Sequence, residues 1–538
     1  MRRRFSWCCM AVAALGAAVV AQGAASADGV RFTRPDRATG DDKAPTRTYS
    51  SPYVLANPDD PRDVFAATLE MRSRTCHVLH STNAGRTWRR LDASPSPSGY
   101  PFCFHTSGGV TQTPMAWGRD RTLYLGMVGW DDQDGGAGRN LSVILSRSND
   151  GGASWQSTIV RNARGKEGPD TENNRPVSSV VVDTKSGSQD IVYVAWRRSY
   201  PLAKPPVPAE AMVAVSTDGG RSFGDPVSVS AAYEKTVDDK DGKPQPLGGR
   251  FPNPQMALAG DGTLYVLFPG GAPTYAQFNA PVTAPLLLGR STDQGKTFTV
   301  TEVNRPSNFY GGHLIKWSRE GGKQGTLHIV FEDKPDQPQG DRDIFHQRST
   351  DGGRTFSEPR VLHDDDPKQL IGQFIPNLDV APNGRVDVTW WDFRNDPGLY
   401  VNDVYYTYSS DNGRTWSQNL RVTDRSINRR IGPWSNNFDM RQPPGLSSTK
   451  ELAVFAWDDT REGDEVGQGQ DIFSAAGQFK ALGTGGSNSL RYAIAVLGGL
   501  TVVGLVLLVV AALGGPGPTR KREPLVPASP PREPAGIA

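Results

Sequence analysis

Cysteine is scarce in this chain, at four in 538 residues, and charge of either sign is not in excess. With 59 Lys+Arg against 57 Asp+Glu the net charge is only +2, which excludes a global field for nucleic acid or an anionic surface. So few cysteines exclude a thiolate metal site. Several chemical signatures are missing as well. No His-Glu-x-x-His, no Gly-x-Ser-x-Gly elbow and no phosphate-binding Gly-rich loop is present. Long apolar runs occur only at the two ends. What the chain has in quantity is glycine (59) and proline (42), with 37% hydrophobic and 22% charged residues. That composition excludes wholesale disorder and points to a turn-rich all-β chain.

The ends read as export and anchoring signals. Met1–Arg4 is basic, an apolar run follows from Trp7 to Val20, and Ala25-Ser26-Ala27 offers a small-x-small cleavage site. Residues 1–27 are therefore expected to leave as a signal peptide, the alternative being an uncleaved anchor. Residues 492–513, Tyr492 to Leu513, carry no charge and suffice for a helix of roughly 30 Å, the thickness of a bilayer core. Arg520, Lys521 and Arg522 follow and favour the cytoplasmic side. The expected layout is a single-pass type I cell-membrane protein. Its ectodomain spans 28–480, a linker 481–491, the helix 492–513 and a Pro-rich cytoplasmic tail 514–538. After processing only Cys76 and Cys103 remain, which outside the cell suggests one disulfide, with two free buried thiols as the alternative.

An eight-residue pattern, Ser-x-Asp-x-Gly-x-Thr-aromatic, recurs six times. It runs Ser81–Trp88, Ser148–Trp155, Ser216–Phe223, Ser291–Phe298, Ser349–Phe356 and Ser409–Trp416. The third positions are Asn83, Asp150, Asp218, Asp293, Asp351 and Asp411, about 60 to 75 residues apart, the interval of a repeat architecture. Each position has a structural purpose. The carboxylate accepts N–H groups of its own turn, glycine supplies positive φ, and the aromatic ring packs beneath. Around each copy lie a strand, a tight Asp-Gly or Asn-Gly turn, a second strand, a long loop, a third strand, the box and a fourth strand. That is a four-stranded propeller blade. Counting whole units gives seven, one more than the boxes, and six remains the alternative. The seventh unit lacks a fourth strand, and Val30-Arg31-Phe32-Thr33 is the candidate donor from the other end of the chain.

These boxes resemble the Asp-box (BNR) motif of the sialidase (neuraminidase) superfamily and other Asp-box β-propellers, and the resemblance covers about 430 residues through the repeat. It implies an all-β Asp-box propeller whose ligand face lies opposite the boxes. It also implies glycan recognition or, if the chain is an enzyme, a sialidase-like glycoside hydrolase with a substrate-gripping arginine triad, a Tyr–Glu nucleophile pair and an Asp acid/base. The Phe/Tyr-Arg-Ile-Pro motif of that family is replaced here by Tyr49-Ser50-Ser51-Pro52.

The second strands end in aromatic and ionic clusters: Trp196-Arg197-Arg198, Glu332-Asp333, Trp390-Trp391-Asp392-Phe393-Arg394 and Trp457-Asp458-Asp459-Thr460-Arg461. Such residues on the loops of a rigid scaffold suit a sugar, with ring faces on CH groups and Arg on a carboxylate. Candidate ligand groups are Arg175, Arg250, Trp391, Arg394, Trp457 and Arg461. Candidate catalytic groups are Tyr310 as nucleophile, Glu332 as its partner, and Asp392 and Asp458 as carboxylates. The competing reading makes the tryptophans blade caps and makes Asp392–Arg394 and Asp458–Arg461 internal ion pairs. No cofactor is required. The oxygen-rich stretch Asp131, Asp132, Asp134 and the run Asp364-Asp365-Asp366 offer ligands for a structural Ca²⁺, but neither has EF-hand spacing. The expected partners are a glycan or another extracellular ligand and the membrane, without nucleic acid, and the protein is expected to be a monomer.

Overall fold

A computed structural model describes residues 29–479 apart from 43–46, 104–112, 131–140, 164–171, 201–202, 204–206, 208, 234–235, 239–243, 247–252, 271–284, 305, 307–311, 334–341, 366–370, 397, 399, 433–441 and 465–468. The chain divides into a compact unit, Met1–Phe479, and a second unit, Lys480–Ala538, which falls outside the described residues.

Among the described residues seven antiparallel sheets of four or more strands follow one another along the first unit, with a two-stranded sheet, Thr236–Asp238 and Pro244–Pro246, between the third and the fourth. Blade 1 comprises Tyr49–Ala56, Val64–Glu70, Thr75–Ser81 and Arg89–Arg90. Blade 2 comprises Met115–Trp117, Leu123–Gly129, Ser142–Ser148 and Gln156–Arg161. Blade 3 comprises Asn173–Asp183, Ile191–Ser199, Glu210–Ser216 and Val227–Ser228. Blade 4 comprises Gln255–Leu258, Leu264–Pro269, Leu286–Ser291 and Thr299–Asn304. Blade 5 comprises His313–Ser318, Thr326–Asp333, Asp343–Ser349 and Arg360–Val361. Blade 6 comprises Gln373–Val380, Val386–Asp392, Val401–Ser409 and Leu420–Arg421. Blade 7 takes Gly445–Ser448, Leu452–Asp459 and Asp471–Phe479 from the end of the chain and Val30–Phe32 from its beginning.

The first strand of each blade packs against the first strand of the next, and that of blade 7 packs on that of blade 1, so the ring closes. The seam is the expected strand exchange: Val30 pairs with Phe479, Arg31 with Gln478 and Phe32 with Gly477. The donated segment covers the outer edge of Asp471–Phe479 and completes the fourth strand of blade 7. Behind it, Arg47 grips both oxygens of Asp471, and Thr39 donates its hydroxyl to the same carboxylate at 2.8 Å. The seven-blade count holds, and the count of six is set aside.

Each joint between neighbouring blades holds its own hydrophobic cluster, as Val330 and Ile344 of blade 5 do with Leu378, Val388 and Trp390 of blade 6. Second strands are therefore covered on both faces. This explains why Leu264–Pro269 is buried throughout and reads as a continuous apolar run rather than an alternating one. The disulfide forms between Cys76 and Cys103, with Cα atoms 5.8 Å apart, and ties the third strand of blade 1 to the crossing into blade 2.

The six boxes are closed turns. In the copy at Asp351, Oδ1 accepts from the N–H groups of Arg354 and Thr355 at 3.0 Å, and Oδ2 accepts from the Thr355 hydroxyl at 2.7 Å. The hub is the leading serine. Ser349 donates its hydroxyl to Asp351 and accepts the N–H of Gly353 at 2.9 Å. Gly353 has φ +81°, and a side chain there would also strike Leu288. Asn83 keeps the pattern, accepting the Thr87 N–H at 2.9 Å.

Candidate functional site

The topology separates two faces. Box turns and the short turns between first and second strands lie on one. The second strands run away from that face and deliver their last residues to the other, here called the mouth. Alternate residues of a second strand face the next blade. In blade 5 these are His328, Val330 and Glu332. In blade 7 they are Val454, Ala456 and Asp458. The mouth-end member of this row is Arg197 in blade 3, Glu332 in blade 5, Trp391 in blade 6 and Asp458 in blade 7. Four different chemistries thus occupy one structural position, and all four side chains are largely buried.

Glu332 and Asp458 have the same local task. Glu332 accepts the backbone N–H groups of Ile375 at 3.0 Å and Gly312 at 3.2 Å. Asp458 accepts the N–H of Ser51 at 3.0 Å and the hydroxyl of Ser50 at 2.8 Å, and Gln470 donates to it at 3.2 Å. Ser51 and Ile375 both precede a proline, have positive φ of 62° and 50°, and sit in register shifts of first strands. Each carboxylate therefore stabilises a strained bulge in the next blade. Burial pushes Asp458 up to about 6, opposed by the Arg429 charge and the bonds from Ser50 and Ser51.

The Trp-x-Asp-x-Arg segments of blades 6 and 7 are copies of one device. Trp390 donates its indole N–H to Asp392 at 2.8 Å, and Arg394 binds Asp392 through its backbone N–H and its guanidinium, both at 2.8 Å. Trp457, Asp459 and Arg461 repeat this at 2.9, 2.9 and 2.7 Å. Each guanidinium also reaches an aspartate on the crossing from the preceding blade, Asp364 for Arg394 and Asp424 for Arg461, both at 2.8 Å. Each lies over a third-strand ring, Tyr405 at 4.1 Å and Phe473 at 4.3 Å. The internal pairing is thus Asp392–Arg394 and Asp459–Arg461. The expected Asp458–Arg461 pair is corrected, because Asp458 and Asp459 point to opposite faces of the strand.

The rings of Trp391 and Trp457 are 2% and 0% exposed, so neither offers an open face. Trp391 donates to the Gln442 carbonyl at 2.7 Å and lies under the Arg429 guanidinium at 4.5 Å. Arg429 in turn donates to Asn402 at 2.8 Å. Tyr310, Arg250 and the side chain of Arg175 fall outside the described residues, as do Asp131, Asp132, Asp134 and Asp366. The structure brings Trp391, Arg429 and Asp458 together where blades 6, 7 and 1 meet. It holds Arg394 and Arg461 in separate ties. Arg429 carries no distinguishing signal in the sequence, since nothing in Asn428-Arg429-Arg430 sets it apart from a solvated basic turn.

Asp364 and Asp365 are engaged by cations: Asp364 pairs with Arg394, and Asp365 contacts the His363 ring. Burial lowers His363, but Asp343 and Asp365 on its two sides more than offset this and hold it up at about 9. Among the described residues no group of three or more His, Cys, Asp or Glu side chains is arranged to hold a metal ion.

No family model matches the chain, and no curated protein matches it. Solved structures of similar chain path include a protein of unknown function from Dyadobacter fermentans, with TM-score 0.44 and 14% identity over 84% of this chain and 100% of that one. A Penicillium chrysogenum alpha-L-arabinanase complexed with arabinobiose gives 0.40 and 13%, over 67% of this chain and 94% of that one. A Trypanosoma rangeli sialidase in complex with sialic acid gives 0.41 and 11%, over 70% of this chain and 57% of that one.

Proposed function

We propose that this seven-bladed Asp-box propeller is a cell-surface recognition module that binds a glycan or another extracellular ligand at its mouth, held at the membrane by one C-terminal span over 492–513. The observation that carries the reading is the division of labour between the faces. In the box turns the serine and aspartate side chains take up the turn's own N–H and hydroxyl groups, as Ser349 and Asp351 do with Gly353 and Thr355. The second strands bring Arg197, Glu332, Trp391 and Asp458 to one position at the other end. These buried groups fix the end of the scaffold from which the longer connections leave, and loops on a rigid scaffold are where binding sites collect.

Among the described residues no helix is long and apolar enough to cross a membrane, and the segment 492–513 lies outside them. The anchor, the export signal over 1–27, the monomeric state and the absence of a nucleic-acid partner rest on the sequence alone.

A second reading is a sialidase-type hydrolase. Asp458 favours it, since a carboxyl lifted to about 6 has the protonation range of a general acid. Two assays on the purified protein separate the readings. Binding on a glycan array without turnover of a chromogenic sialoside supports the module. Turnover that is lost in Asp458→Asn supports the enzyme. Silence in both, with a defined protein captured by crosslinking, replaces both readings with an interaction propeller.

A further inference from the structure

The row facing the next blade also has a box-end position. It is Phe65 in blade 1, Tyr124, Tyr193 and Tyr265 in blades 2 to 4, His328 in blade 5, Asp387 in blade 6 and Val454 in blade 7. Blade 5 alone places a histidine there, and a second histidine, His346 on the third strand, meets it. His328 Nδ1 and His346 Nε2 are 3.2 Å apart, and the two rings are 0% and 2% exposed.

The protons of this pair follow from its neighbours. Thr326 has one hydroxyl proton and donates it to the Glu320 carbonyl at 2.7 Å. Its oxygen therefore accepts from the Asn412 amide nitrogen, also at 2.7 Å. That fixes the Asn412 oxygen as an acceptor facing His328 Nε2 at 3.1 Å. His328 accordingly carries its proton on Nε2 and accepts on Nδ1, and His346 donates from Nε2. Asn412 belongs to the box of blade 6, so the chain of bonds crosses the joint between the two blades.

No added proton fits. On His328 Nδ1 it would face the His346 N–H and break the bond between the rings. On His346 it would make a cation beside Arg348 and Arg360, the charged groups that face the pair. From blade 6, Trp416 lies edge-on to His346 at 4.9 Å and Gly413 closes against it, and neither brings charge. The nearby Asp411 carboxylate is held by Ser409 and Thr415 in its own turn.

We propose that the His328–His346 pair makes the joint between blades 5 and 6 an acid-sensitive latch, closed while both rings are neutral and released by protonation. Burial is the main cause that holds His328 down at about 4 and His346 well below its ordinary value. An unfolded histidine titrates near 6.5. The stabilisation is therefore complete above about pH 6.5 and is lost as the pH falls toward 4. The strand that carries His328 carries Glu332 at its mouth end, so release at one end loosens the Ile375 bulge at the other.

The test is thermal unfolding of the full-length chain in detergent between pH 7 and pH 4.5, beside His328→Gln/His346→Gln. The wild-type midpoint is expected to fall by about 5 °C more than that of the variant over this range. Parallel curves overturn the proposal. Should the variant not fold, hydrogen exchange of the wild-type chain decides, after correction for intrinsic rates. Protection is expected to be lost first in Thr326–Asp333 and Val401–Ser409 at pH 4.5. Uniform loss, or first loss in another blade, overturns the latch.

Discussion

Asp458 and Ser51 are separated by 407 positions, yet the carboxylate of the first accepts the backbone N–H of the second at 3.0 Å. This bond crosses the seam of the ring and connects the seventh blade to the bulge of the first. Because burial lifts Asp458 to about 6, its ionised form is the less stable one in the folded protein. Its contribution is complete below the unfolded value near 3.9 and is lost as the pH rises through 6. Asp458→Asn lowers the melting temperature, since Ser50 and Gln470 then face an amide N–H. The deficit against wild type is expected to narrow between pH 4 and pH 7 by roughly 2–3 kcal/mol. Melting curves of the two proteins at several pH values check this, and a constant deficit would show that the carboxyl does not titrate there.

Arg394→Ala leaves Asp392, which is 0% exposed, without its guanidinium. The expected loss is about 3 kcal/mol, most of it the cost of an unpaired buried charge. Asp392→Asn in the same chain should restore a good part of it. A denaturant double-mutant cycle measures the coupling, and strictly additive losses would contradict the tie.

Asp351→Ala removes four acceptor contacts from one box. Burial raises this carboxyl, but the bonds from Thr355, Ser349 and Arg354 outweigh it and hold it down at about 2. The turn is largely exposed, so the loss is set by hydrogen bonds and amounts to about 1–2 kcal/mol. Ligand affinity should be unchanged in the folded variant. Wild type should lose its advantage only as the pH drops from about 4 toward 2, which acid unfolding of both proteins reads.

Reduction of Cys76–Cys103 opens a loop with a sequence separation of 27 residues. The chain-entropy model gives roughly 3 kcal/mol. Cys76→Ser/Cys103→Ser should show that loss in urea, with thiol labelling and peptide mapping confirming that neither Cys76 nor Cys103 is free in the native wild-type chain.

Removal of residues 488–538 should release the propeller into the soluble fraction after export. Retention in the membrane pellet of a correctly folded, exported product would place the anchor elsewhere.

The Asp boxes were legible because every bond that closes them lies within eight residues. Ser349, Asp351, Gly353 and Thr355 need only one another. The disulfide followed from there being only two cysteines in residues 28–538, and the exchange of Val30–Phe32 followed from a unit one strand short. The roles of the ionic groups were not legible. Asp458 and Asp459 are neighbours in sequence, but the pleat sends one to the Ser51 bulge and the other to Arg461. Nothing in the sequence showed that Glu332 is the acceptor for the backbone N–H of Ile375. His328 and His346 gain their meaning from Asn412, which arrives from another blade. Local bonding patterns are written in adjacent residues, so the sequence alone determined the blade repeat, while the closed ring decided seven blades over six. The partners of a buried charge are chosen by which remote strands the closed ring brings alongside it, and only the tertiary structure decided those.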